Sequence, residues 1–482
     1  MSAIANLGLA APELLLAIAA MGLMMVGVFT KGNNHKLIAW ATVVVMGIAA
    51  FLVATSTPDA RTFAMNDLFV ADGFTGFTKI LVLIAAAMTL LMSISWLDEE
   101  GIGRFEFSVV VLFATLGMLM MISANDLLSL YIGLELQSLS LYLLAAYNRD
   151  NLRSTEAGVK YFVLGGLASG MLLFGMSYIY GFTGTTNFEV LSGMLTAETE
   201  VSKGLVFGMV FLLVGLAFKV SAAPFHMWTP DVYEGAPTPV TGFFAVAPKI
   251  AALALLMRVM IVPFGDIIVQ WQMIVQILAV LSMIVGSYAA IRQTNIKRMM
   301  AYSSIGHVGY ALIGLATGTT EGIHGVLVYL AIYLFMNAGA FGVILTMRSK
   351  GRTLEGIADL AGLSKTAPLM AGALAVMLFS MAGIPPLAGF FGKLYVFLAA
   401  IKAEMYVLAV IGVLASVVSA FYYIRIIKIM YFDEPAETFD GKNLGEIQVV
   451  VAISSAVILL FIILPAPIVD TAQAAATALF AG

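Results

Sequence analysis

Residues 215–239, GLAFKVSAAPFHMWTPDVYEGAPTP, place Lys219 inside an otherwise apolar run, with Pro224 five residues further on. The fifteen residues before this lysine, GLVFGMVFLLVGLAF, carry no charge, so a helix would hold the ammonium group far from the nearer membrane surface. Proline removes a helical hydrogen bond and interrupts a helix. The stretch therefore predicts a broken membrane helix with a lysine at mid-depth.

The composition of the chain is that of a membrane protein with many spans. Of the 482 residues, 61% are hydrophobic and 11% are charged, and the mean hydropathy is +1.01. The net charge of -4 does not favour nucleic acid as a partner, and the absence of cysteine excludes iron–sulfur clusters and thiolate-bound haem. No basic residue precedes the first apolar segment, which favours a retained span over a cleaved signal peptide.

Apolar runs separated by charged or Gly/Pro-rich stretches predict an all-α fold of about fourteen transmembrane helices. The predicted spans are 9–30, 36–55, 76–97, 107–124, 126–147, 157–183, 204–228, 240–261, 266–291, 298–317, 322–347, 367–401, 405–430 and 446–467. Pro224 interrupts the seventh span, and Gly383 with Pro385 and Pro386 interrupts the twelfth. We expect both helices to be discontinuous, which exposes backbone groups at mid-membrane depth.

Lysine and arginine in the loops predict the orientation. The loops that follow odd-numbered spans hold 16 of these residues and the other loops hold 4. Positive residues remain on the cytoplasmic side, so both termini are expected on the opposite side. We call the side of the odd-numbered loops the basic face.

Four ionisable residues lie deep inside predicted spans: Glu135 in the fifth, Lys219 in the seventh, Lys249 in the eighth and Lys393 in the twelfth. Each costs roughly 2.5–3.5 kcal/mol to insert, or on the order of 10 kcal/mol in all. One lysine–glutamate pair could simply lock two helices together, but three lysines cannot all be neutralised by one glutamate. The surplus favours groups that take up and release protons.

His307, in the tenth span, is either a further member of this proton relay or a hydrogen-bonded packing residue. No second histidine is placed to share a haem with it, and the sequence has no metal cluster, nucleotide loop or nucleophilic triad. The chain itself is therefore expected to bind no metal and no cofactor.

The spacing of these residues indicates an internal repeat. Glu135 and Lys219 are 84 residues apart, and His307 and Lys393 are 86 apart. Repeats of five helices, spans four to eight and nine to thirteen, must be inverted, because five crossings start the second copy on the opposite face. The expected units are three N-terminal helices (1–106), the first repeat (107–265), the second repeat (266–432), and a last helix with a short tail (433–482).

Three stretches resemble the antiporter-like membrane subunits of bacterial respiratory complex I. They are FKVSAAPFHMWTPDVYEGAPTPVTGFFAVAPK (218–249), IKRMMAYSSIGHVGY (296–310) and MAGIPPLAGFFGK (381–393). The resemblance implies a proton-pumping subunit of NADH–quinone oxidoreductase in the bacterial inner membrane, with both termini periplasmic. It also implies membrane-arm subunits as partners, which with the rest of the complex would carry the NADH, FMN, iron–sulfur and quinone sites.

The same resemblance assigns roles to individual residues. Glu135 matches the glutamate of the fifth helix, Lys219 the lysine of the broken seventh helix, Lys249 the relay lysine of the eighth, and Lys393 the twelfth-helix residue near the exit. The M-type subunits are expected to carry glutamate at this last position and the L-type subunits a long additional helix. The chain fits the N type best, and its alanine-rich tail is too short for a lateral connecting helix.

Two other functions stay open from the residues. A cation/proton antiporter subunit of the Mrp type would respond to sodium. An assembly subunit that transports nothing would use its charges only to lock helices together, so neutralising them would prevent assembly but not pumping.

A working hypothesis follows for Lys219. It is expected to be protonated when an ionised Glu135 is near, and to discharge toward Lys249 when the two separate, with the break at Pro224 supplying the movement.

Overall fold

The computed structural model describes residues 5–196, 201–440 and 445–481. Helices make up almost all of the described chain, as the apolar runs predict. Eleven of the helices in these ranges are long and apolar enough to cross a membrane. The prediction of an all-α polytopic fold is confirmed.

The N-terminal part has three long helices and a small hairpin. They are α1 (Ala11–Phe29), α2 (His35–Ser56), β1 (Thr62–Ala64), β2 (Phe69–Ala71) and α3 (Gly73–Glu99). The two strands pair antiparallel, with Phe63 opposite Val70. Asp72 begins α3 with a capping box, because its side chain accepts from Thr75 N while the Thr75 hydroxyl accepts from Asp72 N.

The first repeat contains five spans, of which the fourth is broken. Its helices are α4 (Phe105–Ile122), α5 (Leu127–Ala145), α6 (Leu152–Thr183), α7 (Phe188–Met194), α8 (Lys203–Val220), α9 (Thr229–Gly235) and α10 (Thr238–Ile261). The seventh predicted span stops at Val220, and turns lead from there into α9. The predicted interruption is therefore present, slightly before Pro224.

The second repeat has the same plan. Its elements are α11 (Ile268–Ile291), α12 (Ile296–Ala316), α13 (Thr320–Leu345), β3 (Arg348–Ser349), β4 (Arg352–Thr353), α14 (Leu363–Thr366), α15 (Pro368–Ala382), α16 (Ala388–Lys402) and α17 (Tyr406–Phe432). The twelfth span divides into α15 and α16, as predicted.

Corresponding features mark the two repeats. Asp126 caps α5 and forms a strand-like bridge with Asn187, and Asn295 caps α12 and bridges Gly356 in the same manner. Both interrupted helices also end at a residue with left-handed backbone, φ +65° at Ser221 and φ +84° at Gly383. Glycine adopts this conformation freely, whereas serine is strained there.

Aligning the repeats on these features corrects the sequence spacing. Lys219 lies two residues before Ser221, but Lys393 lies ten residues after Gly383. The two lysines are therefore on opposite sides of their breaks. By the caps of α5 and α12, the counterpart of His307 is Ser138 and not Glu135.

The C-terminal part consists of α18 (Gly445–Leu460) and α19 (Ala466–Phe480). Helix α19 is amphipathic, and it packs its alanine-rich face against α3 and α13. The tail thus forms a docked helix of 15 residues.

Buried ion pairs join the N-terminal helices to each other and to the first repeat. Lys79 Nζ lies 2.6 Å from Glu13 Oε1, between α3 and α1. Arg258, in the last turn of α10, donates from Nη2 to both carboxylate oxygens of Asp72 at 2.9 Å. Separating such a pair would leave a buried charge without its partner, so these contacts hold the helices in one arrangement.

Candidate functional site

The first break brings a lysine to the end of a helix. Helix α8 stops at Val220, and the carbonyls of its last turn have no partner within the helix. Lys249, on α10, donates from Nζ to Val220 O at 3.2 Å. A helix C-terminus carries partial negative charge, so it favours a cation here.

Lys219 is held differently, although it lies in the last turn of the same helix. Its Nζ donates to Ser138 Oγ at 2.7 Å and to Tyr142 OH at 3.4 Å, both on α5. The side chain is buried. Lys219 thus binds only side-chain hydroxyls of another helix, whereas Lys249 binds the backbone at the helix break.

Glu135 lies on α5, one turn before Ser138, and is only partly buried. It accepts a hydrogen bond from Ser169 Oγ on α6. No ion pair of 4.0 Å or less joins it to Lys219, and in this structure the two groups are separated. Instead of pairing with each other, Glu135 on α5 binds Ser169 and Lys219 on α8 binds Ser138.

The second break also receives a lysine. Lys393, on α16, donates from Nζ to Met381 O and Ala382 O, each at 3.0 Å, and to Ser416 Oγ at 2.8 Å. The two carbonyls end α15, so Lys393 occupies the helix terminus that Lys249 occupies in the first repeat. Its ammonium group also lies 4.9 Å from the ring centre of Tyr310.

His307 has a hydrogen-bond partner at each ring nitrogen. Nδ1 contacts the hydroxyl of Tyr329 on α13, and Nε2 lies 3.0 Å from the hydroxyl of Tyr423 on α17. The Tyr423 hydroxyl is in turn 2.5 Å from Ser303 Oγ. These partners cannot be recognised in the sequence, because tyrosines in two separate apolar helices, α13 and α17, give no local sign that they converge on His307.

A small cavity of about 10 Å³ connects Lys249 with His307. Tyr329 and Tyr333 complete its polar lining, and the rest is aliphatic. The volume is near the lower limit for one water molecule. Lys249 and His307 do not touch each other, but a single water in this cavity, together with a tyrosine hydroxyl, can carry a proton between them.

A larger cavity of about 860 Å³ opens between the helix ends on the basic face. Its charged lining includes Glu234, Lys297, Glu355 and Arg425. Lys297 is buried beside it and donates to Glu355 Oε1 at 2.7 Å and to Ala236 O at 2.8 Å. Polar groups thus line the route from this surface toward α12 and α17.

Helix α9 is fixed next to this cavity by ion pairs. Arg298 Nη1 donates to Asp231 Oδ1 at 2.7 Å and to Glu234 Oε2 at 2.9 Å, and Lys160 binds the other oxygen of Asp231 at 2.9 Å. Burial by itself would raise the pKa of Asp231, but the hydrogen bonds and charges of Lys160 and Arg298 outweigh it, so the pKa is lowered.

Trp228 follows the first break and is buried. Its indole stacks on Tyr161 at 4.2 Å between ring centres and donates to Phe218 O at 3.1 Å. The same carbonyl also accepts from Ser221 N at 3.0 Å, so the indole adds a second hydrogen bond at the end of α8, and the sequence gives no sign of this contact.

The five predicted residues do not form one compact cluster. Lys249 and His307 share a cavity, Lys219 and Glu135 lie together on the α5 side of the first break, and Lys393 lies at the second break. In chemical terms these groups can bind and pass protons, provided water bridges them. Within the described ranges, no three His, Asp or Glu side chains are grouped as metal ligands.

Comparison with known proteins adds an independent finding. The family model for the transmembrane part of NADH:quinone oxidoreductase and the Mrp antiporter matches residues 124–419. NADH-quinone oxidoreductase subunit N of Paramagnetospirillum magneticum is 60% identical over 473 residues, which are 97% of this chain and 97% of that one.

Solved structures have the same fold. A chain of respiratory complex I from Thermus thermophilus, solved with bound aureothin, is 31% identical, with a TM-score of 0.81 over 95% of this chain and 98% of that one. A chain of the Mrp complex from Dietzia sp. DQ12-45-1b has a TM-score of 0.88 over 98% of each chain. Its identity is 21%, so that likeness concerns the fold alone.

Proposed function

This chain belongs to the NADH:quinone oxidoreductase/Mrp antiporter transmembrane family, and from that premise we propose that it is subunit N of a bacterial NADH–quinone oxidoreductase. The chain would translocate protons in the membrane arm of complex I. The 60% identity to a subunit N over 97% of both chains supports this assignment over an Mrp-type antiporter, because the Mrp chain is only 21% identical.

Within that function, we propose that Glu135, Lys219, Lys249, His307 and Lys393 carry the proton. The observation that carries the proposal is that a buried lysine caps each helix break, Lys249 at Val220 and Lys393 at Ala382. Carbonyls and, at Lys393, one serine hydroxyl hold these cations without a counter-ion, so gain and loss of the proton respond strongly to small movements of the break.

Lys219 would be the group that moves. It is bound to hydroxyls and lies near a carboxylate, so approach of Glu135 would favour its protonated form and separation would favour release toward Lys249. The residues 107–265 and 266–432 would then serve as two half-channels that open to opposite faces.

The energy would come from other subunits. The sequence has no cysteine for an iron–sulfur cluster, so we assign NADH, FMN, the clusters and quinone to partner subunits of the complex. Because the chain would be driven through its contacts with other membrane-arm subunits, it should not pump alone. The basic face would be cytoplasmic and both termini periplasmic in a multi-pass inner-membrane protein.

Substitution of the two capping lysines tests the proposal. In membranes with normal amounts of assembled complex, Lys249→Ala and Lys393→Ala should each lower proton translocation coupled to quinone reduction. Lys402→Ala is the matched control for Lys393, because it lies exposed at the end of the same helix. Full pumping in both capping variants would refute the relay, and a sodium-dependent activity would favour the antiporter alternative.

A further inference from the structure

We propose that Tyr423, Tyr329 and Ser303 are proton-carrying residues and that, with His307, they form one hydrogen-bonded file leading to Lys249. This hydroxyl file comprises Ser303, Tyr423, His307 and Tyr329. The proposal deepens the proposed function, because it supplies the relay with its route from the basic face.

The contacts of the file are continuous. Ser303 Oγ lies 2.5 Å from the Tyr423 hydroxyl, which lies 3.0 Å from His307 Nε2, and His307 Nδ1 contacts the Tyr329 hydroxyl. All four side chains are buried. Buried polar side chains cost free energy unless each finds a partner, and here they find one another in a single line.

The two ends of the file face different groups. Tyr329 lines the cavity of about 10 Å³ that Lys249 also lines. At the other end, Ser303 lies on α12 six residues after Lys297, about 9 Å along the helix axis. Lys297 and Arg425, which follows Tyr423 by two residues, both line the large cavity on the basic face. The file therefore points from that cavity toward Lys249.

Histidine allows the transfer to be balanced. Tyr423 passes its phenol proton to Nε2 and regains one from Ser303, which regains its own from water of the cavity on the basic face. Nδ1 passes its proton to Tyr329, whose own phenol proton goes on through water to Lys249 in its neutral form. One proton enters the imidazole and one leaves, so no charge remains on the ring. Before a second transfer, the proton on Nε2 is exchanged for one on Nδ1 through water of the small cavity that His307 lines, which restores the starting tautomer.

The second repeat thus serves the first. His307 occupies the position of Ser138, which accepts the hydrogen bond of Lys219 in the first repeat. Ser138 accepts from Lys219 and donates to Leu134 O of its own helix, whereas His307 faces a tyrosine hydroxyl at each ring nitrogen. The Ser138 site is therefore suited to hold the charge of Lys219, and the His307 site is suited to conduct a proton.

Removal of single hydroxyls tests the file in the assembled complex. Tyr423→Phe and Tyr329→Phe keep the rings and should each remove at least half of the coupled proton translocation that Lys249→Ala removes. Tyr147→Phe is the control, since it also loses a hydroxyl hydrogen bond, to Arg104 O at 3.2 Å, but one that lies outside the file. This control should pump as the unmodified complex does.

A proton-carrying role is separated from a structural one by exchanging water for D2O. The ratio of the coupled rates in H2O and D2O should rise in Tyr423→Phe and Tyr329→Phe, because proton transfer through the damaged file becomes the slow step. A loss of pumping with an unchanged ratio would overturn the proposal.

The same series separates failure of the file from failure of the proposed function. If Lys249→Ala abolishes pumping while both tyrosine variants pump normally, the hydroxyl file is refuted and the lysine relay stands. If Lys249→Ala itself pumps normally, the proposed function is refuted, and the file with it.

Discussion

At the first helix break the span's own lysine, Lys219, lies before the interruption, whereas at the second the lysine, Lys393, lies after it. Lys393 can therefore fold back and cap the carbonyls of α15. Lys219 belongs to the helix whose carbonyls are free, so a second lysine from α10 caps them instead. The first site holds two lysines and the second holds one.

The partners of the three lysines determine how freely each lysine can move. Lys393 is bound by two carbonyls and a serine, and Lys249 by a carbonyl, so both are tied to backbone that moves only with the break. Lys219 is tied only to side-chain hydroxyls on another helix. We therefore expect the first break to contain the switching lysine and the second a fixed one.

The largest effect is expected from making the first break resemble the second. Met381 occupies the position before the second break that Lys219 occupies before the first. Lys219→Met keeps the side-chain length and removes the charge, so coupled proton translocation should fall by about tenfold. Lys203→Ala, exposed at the start of the same helix, is the control. If the Lys219→Met complex pumps normally, the difference between the lysines at the two breaks does not matter for proton translocation.

The next effect concerns the carboxylate that only the first repeat possesses. Glu135→Gln removes the charge that favours protonated Lys219, and we expect a loss of coupled translocation of several-fold, on the order of fivefold. Glu135→Asp keeps the charge on a shorter arm and should lose about twofold. Translocation and quinone reduction are measured together at equal assembly levels. Equal activity of Glu135→Gln and the unmodified complex would rule out the switch.

A smaller effect sharpens the contrast between mobile and fixed lysines. Ser138→Ala removes the shorter of the two hydrogen bonds made by Lys219, whereas Ser416→Ala leaves Lys393 both of its carbonyls. A hydrogen bond to a charged group contributes about 1.5–3 kcal/mol, but water can replace part of it. We expect about a threefold loss of coupled rate for Ser138→Ala and little for Ser416→Ala. The reverse order would contradict the assignment.

The smallest effect is on the segment that follows the first break. Ion pairs with Lys160 and Arg298 hold α9 through Asp231, while the second break continues directly into α16. Asp231→Asn should increase hydrogen exchange at residues 229–235 by a few-fold, equivalent to about 1 kcal/mol, and leave α16 unchanged.

The pH dependence of that contact has a definite sign. The pKa of Asp231 lies below the usual value of 3.8, since the hydrogen bonds and charges of Lys160 and Arg298 outweigh its burial. The stabilisation is fully present above pH 3.8 and is lost only as the pH falls through the lower folded-state pKa. Exchange at residues 229–235, corrected for its intrinsic rate, should therefore not change between about pH 5 and pH 8. A change within that window would contradict the contact.

The sequence by itself determined the spans, the two interruptions and the placement of the four ionisable residues within those spans. These features are local, because about twenty apolar residues are needed to cross the membrane and proline or glycine breaks a helix where it stands. The fifth span and the broken seventh are found at Leu127–Ala145 and Lys203–Val220, close to their predicted limits. The positions of Lys249 and Lys393 within their spans were readable in the same way.

The tertiary structure alone decided which groups these residues meet. Lys249 finds a carbonyl 29 residues away, and His307 finds Tyr423 at a separation of 116 residues. Hydrogen bonds act over about 3 Å and depend on direction, so they are set by which helices pack together and how each is rotated. In a helix that is apolar on all sides, the pattern of apolar residues does not predict which helices it packs against or how it is rotated. The broken helices and their lysines can therefore be predicted from the sequence. The hydroxyl file, and the fact that Lys249 rather than Lys219 caps the first break, can be seen only in the folded structure.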